Sequence, residues 1–129
     1  MSSLVGFYSL IFGFALSIII ILFSIKNFRD SLIFDKKILF FTFLQFFFVV
    51  VSFFSLIISF INSDFSNETV FNHSHTTEPL FYKISGTWGN HEGSLLLWLF
   101  VLTLFILLFL LKSRDQSKQY RILTLLFQQ

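Results

Sequence analysis

A tryptophan, an asparagine, a histidine, a glutamate, a serine and two glycines stand together as Trp88, Gly89, Asn90, His91, Glu92, Gly93 and Ser94, against the start of an apolar run. The imidazole offers ring nitrogens for hydrogen bonding, the carboxylate accepts hydrogen bonds, and the indole joins a flat apolar face to one N–H donor. These groups suit contact with a ligand or a partner. Asn90 or Ser94 can cap a following helix, and Glu92 in its first turn suits the positive end of the dipole. Gly89 and Gly93 permit a tight turn or a close approach by another surface. A helix beginning near Asn90 sets His91, Leu95 and Trp98 on one face, at i, i+4 and i+7. The competing reading is anchorage, with Trp88 and Trp98 as aromatic-belt residues at a membrane surface and His91 bonded to a carbonyl. One imidazole and one carboxylate do not define a metal centre, so no metal ligand or catalytic residue is assigned. His73 and His75 form a His-Ser-His in a polar stretch and read as solvated. Asn67-Glu68-Thr69 and Asn72-His73-Ser74 match the glycosylation pattern, which matters only in a secretory pathway.

The elements that must position these residues are membrane spans. Of 129 residues, 55% are apolar and only 12% charged, and the mean hydropathy is +0.81. That mix excludes an ordinary soluble domain and a disordered chain. The absence of cysteine excludes disulfides, thiolate metal sites and thiol catalysis. A net charge of +2 gives no support to a nucleic-acid partner. The apolar residues gather in blocks at 4–25, 38–61 and 95–111. The first covers roughly 33 Å as a helix, enough for a hydrocarbon core of about 30 Å. It lacks a basic leader and a cleavage site, so it reads as a permanent span. The second holds no charge, and its Gln45 reads as a packing contact with a neighbouring helix. No block contains a central charge, which argues against an ion or proton path made by this chain alone. The 22 phenylalanines, including Phe46-Phe47-Phe48, read as lipid-facing filler. The expected fold is a single all-α integral membrane domain over residues 1–129, with three transmembrane helices joined by an external loop at 62–94.

Charge sets the orientation. Lys26, Arg29, Lys36 and Lys37 lie between the first two blocks, and Lys112, Arg114, Lys118 and Arg121 follow the third. The 62–94 stretch carries Lys83 beside Asp64, Glu68, Glu78 and Glu92. The positive-inside rule therefore turns 62–94 toward the outer compartment, periplasm or intermembrane space. After Arg121 come Ile122, Leu123, Thr124, Leu125, Leu126 and Phe127. They read as a short interfacial helix with Lys118 and Arg121 near lipid headgroups, or as the start of a fourth span.

The run from Pro79 to Trp98 resembles one family. Trp88 to Trp98 matches its pattern Trp-Gly-x-His-Glu-Gly-Ser-x-Leu-Leu-Trp. This is similar to the amino-terminal part of CcmF, the haem lyase subunit of the cytochrome c maturation system. The preceding Tyr82-x-Ile84-Ser85-Gly86-Thr87 looks more like the mitochondrion-encoded members than the bacterial ones. The resemblance covers about twenty contiguous positions, and the first two spans fit in hydropathy and spacing only. Family members have many more spans. Their second tryptophan-rich external segment and their haem-ligating histidines have no counterpart here. The resemblance thus implies one piece of a divided or truncated subunit.

What the family does follows as implication. The full assembly takes haem from a membrane-anchored haem chaperone and joins its vinyl groups to the thiols of Cys-x-x-Cys-His in apocytochrome c. This happens on the outer face of the membrane. The implied partners are the remaining haem lyase subunits, the haem chaperone, apocytochrome c and lipid, and haem enters through the complete assembly. The implied place is the mitochondrial inner membrane, with the bacterial plasma membrane as the alternative. The chain is expected to be noncatalytic alone, with Trp88, Gly89, Asn90, His91, Glu92, Gly93, Ser94 and Trp98 as its haem or partner surface. The alternative function is a structural transmembrane subunit of a larger respiratory complex, without a role in haem attachment.

Overall fold

An apolar segment in lipid must satisfy every backbone N–H and C=O within itself, and a helix does so without a partner. The computed structural model bears this out for all three blocks. It describes residues 2–26, 34–75, 77, 79–113 and 117–129; Arg29, Glu78 and Arg114, which entered the charge reading, lie outside them. The long helices are α1 (Ser2–Lys26), α2 (Phe34–Ile61) and α5 (His91–Lys112). Each is long and apolar enough to cross a membrane. All begin before the apolar blocks do, because polar residues continue the helix beyond the hydrocarbon. The extension is four residues in α2, which takes in Lys36 and Lys37, and four in α5, which Asn90 caps.

The 62–94 stretch is not the plain loop expected from sequence. It holds α3 (Glu68–His73) and α4 (Leu80–Gly89). The Asn67 side chain caps α3 by accepting from the Thr69 N–H at 3.0 Å. Pro79, with φ −58°, pre-sets the entry into α4. Val70 and Phe60 are fully buried, so these short helices cover the end of α2. Both helices are too short to show as spans, so a search for apolar length passes over them.

Small residues seat α1 on α2. Gly6, Ser9, Gly13, Ser17 and Ser24 fall on one face of α1, and the three serines of α2, Ser52, Ser55 and Ser59, are buried. A Cβ built on Gly6 would lie 3.1 Å from Ser55 Oγ, and Ser52 Oγ donates to the Gly6 carbonyl at 3.0 Å. Lipid gives helices no hydrophobic reason to associate, so close packing of small residues carries the contact. Aromatic rings seat α5 on α2. Phe100 stacks on Phe53 at 5.6 Å and meets Phe46 at 5.7 Å, while Phe48 stacks on Phe12 of α1 at 5.6 Å. Of the Phe46-Phe47-Phe48 run read as lipid-facing filler, only Phe47 is strongly exposed, at 52%. The central place of α2 shows in its burial, 39% of its apolar window against 22% for α1 and for α5.

The helix α6 (Lys118–Gln128) packs into the bundle and does not lie free at an interface. Ile122 and Leu125 are fully buried in a cluster with Ile38, Ile106 and Leu110. The side-chain amides of Gln45 and Gln129 pair reciprocally, at 3.0 and 3.3 Å. Gln45 stands eight residues beyond Lys37, about 12 Å along α2. The packing contact expected of Gln45 is therefore present, and its partner is α6.

Candidate functional site

The local structure of the Trp88–Trp98 region turns on Asn90. Helix α4 ends at Gly89 and α5 begins at His91, so one residue joins two helices. Asn90 has extended backbone and 7% exposure. Its amide Nδ2 donates to the Gly86 carbonyl at 2.8 Å, and its Oδ1 accepts from the Gly93 N–H at 2.6 Å. A single side chain thus satisfies a carbonyl near the end of one helix and an N–H at the start of the next, groups that helix ends leave unpaired. Its own carbonyl accepts from the Ser94 N–H at 3.0 Å. Ser94 Oγ donates to the His91 carbonyl at 2.9 Å.

Two glycines make this joint possible. A Cβ at Gly93 would stand 1.6 Å from the Thr87 carbonyl oxygen, which no real side chain tolerates. A Cβ at Gly86 would touch the Phe60 ring at 3.4 Å, so α4 lies tight over the end of α2. Lys83 Nζ donates to Ser63 Oγ at 2.6 Å, and Ser63 holds a positive φ of 50° at the turn that leaves α2. The basic residue of the 62–94 stretch is therefore a clamp between α4 and α2.

The structure divides the eight candidate residues in two. Asn90 and Gly93 are buried in the joint, and Ser94 is bonded along it. Trp88, Gly89, His91, Glu92 and Trp98 are exposed. Trp98 is 70% exposed and Leu95 58%, and with His91 they form the outward face that the i, i+4, i+7 spacing predicts. Glu92, about 100° further round the helix, lines a different surface. It sits at the edge of a cleft of about 470 Å³ between α1, α2 and α5, with Ser52 and Ser55 in one wall and Leu96 and Leu99 in the other. His91 and Glu92, neighbours in sequence, thus belong to two surfaces that adjoin at Leu95. Gly89 has nothing within 4 Å of a built Cβ among the described residues, so no contact among them requires its smallness.

Residues beyond the expected set also belong to the site. Gly86 and Thr87 receive the joint, and Ser52 and Ser55 line the cleft that Glu92 borders. The spacing Gly86, Asn90, Gly93 was the available signal for the joint. Nothing local in sequence points from Glu92 to two serines on another helix. His73 and His75 are exposed, and His73 Nδ1 donates to the Thr69 carbonyl at 3.0 Å within α3. Asn67, one of the two glycosylation matches, is the α3 cap. Among the described residues no three His, Asp or Glu side chains gather as a metal site.

Comparison with known proteins places part of this chain. It is 60% identical over 45 residues to the cytochrome c-type biogenesis protein CycK of Bradyrhizobium diazoefficiens, which is 35% of this chain and 7% of that protein. It is 43% identical over 63 residues to the cytochrome c-type biogenesis protein CcmF of Haemophilus influenzae, 47% of this chain and 10% of the relative. A Daucus carota protein named "Probable cytochrome c biosynthesis protein" is 42% identical over 57 residues, 44% of this chain and 9% of its own length. The matched stretch is thus a tenth or less of each of these relatives. No protein-family profile matches the chain, and no solved structure matches it. The chain shares a segment with CcmF-type cytochrome c biogenesis proteins and sets it in an all-helical, multi-pass architecture.

Proposed function

We propose that this chain is one membrane component of a cytochrome c maturation haem lyase, helping to attach haem covalently to apocytochrome c. The observation that carries the reading is the 60% identity over 45 residues to a cytochrome c-type biogenesis protein. Related names recur in bacteria and in a plant. The internal geometry adds to it. The buried half of the Trp88–Trp98 region, Asn90 and Gly93, builds a joint. The outward half, His91, Leu95 and Trp98, presents an imidazole and an indole beside exposed apolar surface. Such a mixed aromatic and polar face is what a partner surface needs.

Haem is the substrate of the assembly in this reading. The donor set here does not fit an axial cage, because His91 is one exposed imidazole and Glu92 turns to another surface. This chain's residues therefore position and pack. Trp98 and Leu95 offer apolar area, His91 offers a hydrogen bond, and Gly89 leaves room for a partner backbone to approach. The partners are the remaining haem lyase subunits, the haem chaperone and apocytochrome c. The basic residues beside α1, α2 and α5 support a topology with 62–94 toward the outer compartment, intermembrane space or periplasm. The likeness of Tyr82 to Thr87 to mitochondrion-encoded members supports a divided subunit.

A tagged chain purified in mild detergent should bring down other cytochrome c maturation subunits; purification in their absence sinks the proposal. Replacing His91 and Trp98 by alanine, in a strain without a wild-type copy, should lower covalent haem staining of c-type cytochromes at least about tenfold, the scale of two lost interface anchors. Unchanged staining removes the outward face from the function.

A further inference from the structure

The cleft that Glu92 lines is open on its side between α1 and α5, and it meets the outward face of the preceding subsections at Leu95. Its chemistry is graded along the helix axis. At the end near Glu92 it carries Ser3, Asn67 and Thr69, and from there it runs down past Leu96 and Leu99, with Ser55 and then Ser52 deeper on the α2 wall. Glu92 and Ser3 stand in the first turns of α5 and α1, so with these helices across a bilayer the polar end falls near headgroup depth and the leucines among acyl chains. The volume, about 470 Å³, falls in the range of about 300–1,000 Å³ usual for small-molecule sites.

Charge selects the occupant. The rim is acidic, with Glu92 in the cleft and exposed Glu68 beside the lining residues Asn67 and Thr69. The nearby cation, Lys83, is engaged with Ser63 on the α4 side. The hydroxyls of Ser3 and Thr69 stand at the same end of the cleft as the Glu92 carboxylate, and a hydroxyl oxygen can accept. A carboxylate and acceptor hydroxyls call for a ligand that donates several hydrogen bonds and carries positive charge. An anionic headgroup meets repulsion there, and a quaternary ammonium has no proton to give.

We propose that this cleft is a binding site for an aminophospholipid, with its primary ammonium on Glu92 and the neighbouring hydroxyls and one acyl chain between α1 and α5. The site does not depend on which compartment residues 62–94 face, nor on the role of the chain in cytochrome c maturation. Its failure and the failure of that role are therefore separate results.

The test is native mass spectrometry of the full chain in mild detergent. Phosphatidylethanolamine and phosphatidylglycerol of identical acyl chains are supplied in equal amounts. The wild type should retain phosphatidylethanolamine at least about fivefold more, the scale of one charge-assisted hydrogen bond in a half-wet site. Glu92→Gln should abolish the headgroup preference while leaving some retention of both lipids. Leu99→Phe and Leu96→Trp narrow the apolar part and should lower retention of both lipids alike, with helix content by circular dichroism unchanged. Equal retention by the wild type, or a preference that survives Glu92→Gln, overturns the proposal. A chain dimer that excludes lipid also overturns it, because the cleft is then a helix interface.

Discussion

The two glycines of the Trp88–Trp98 region do opposite things. Gly93 is fixed by the Thr87 carbonyl and Gly89 by nothing among the described residues. Gly93→Ala should therefore destabilise the folded chain by about 3 kcal/mol or more, at the upper end of overpacking. Gly89→Ala should be neutral or stabilising by up to about 1 kcal/mol, since it removes freedom from the unfolded chain. Thermal unfolding in detergent micelles measures both, and a Gly93→Ala variant as stable as wild type would contradict the packing at the joint. If Gly89→Ala is stable yet no longer recovers maturation partners, the glycine serves a close approach from outside. Sequence alone does not separate these glycines, since both stand in one run beside the same histidine. The distinction needs the direction in which each Cα faces, and the chain reversal at Asn90 sets that direction. His91 and Glu92 diverge for the same reason. Adjacent residues on a helix diverge by about 100°, and only the packing of α5 on α2 decides which surface receives each.

Among the elements, the spans were legible because apolar length in a membrane has one solution. Their partners were less legible. The small stripe of α1 was visible only as Gly6 and Gly13, and the serines that complete it resemble scattered polar residues until α2 is laid against them. The phenylalanines look alike in sequence, yet Phe46, Phe48, Phe53 and Phe100 hold helices together and Phe47 does not. The helix α6 was the least determined element, since a short apolar tail fits either a surface or a bundle. The Gln45–Gln129 pair makes its seating testable. Gln45→Leu removes one amide and leaves the other unpaired, a loss of about 1–2 kcal/mol given that interhelical bonds in membranes average about 0.6. Hydrogen exchange should then rise across α6 while α5 stays protected. Equal protection of α6 in the variant would mean that Ile122 and Leu125 hold the helix without the amides.

For the whole molecule, the absence of cysteine is an experimental convenience. A single cysteine introduced at Ser66, in the α2–α3 turn, should react with an impermeant maleimide from the outer compartment. One at Ser117, at the start of α6, should react only after the inner side is opened. The reverse pattern would overturn the orientation drawn from charge. Membrane class is a whole-chain property because it arises from a sum over many residues, which is why composition reaches it. The joint between α4 and α5 is the contrary case, set by individual atoms, and it has a consequence for how this chain can change. Asn90 reaches back four residues to Gly86 and forward three to Gly93. It works as a ruler of fixed length. Substitutions on the outward face leave the ruler intact, so His91, Leu95 and Trp98 are free to drift with whatever they meet. An insertion or deletion of one residue within 86–93 separates Asn90 from one of its marks. It also swings all of α5 through about 100°, so that Trp98 and Glu92 both leave their present surroundings. The region can vary in its side chains far more readily than in its length.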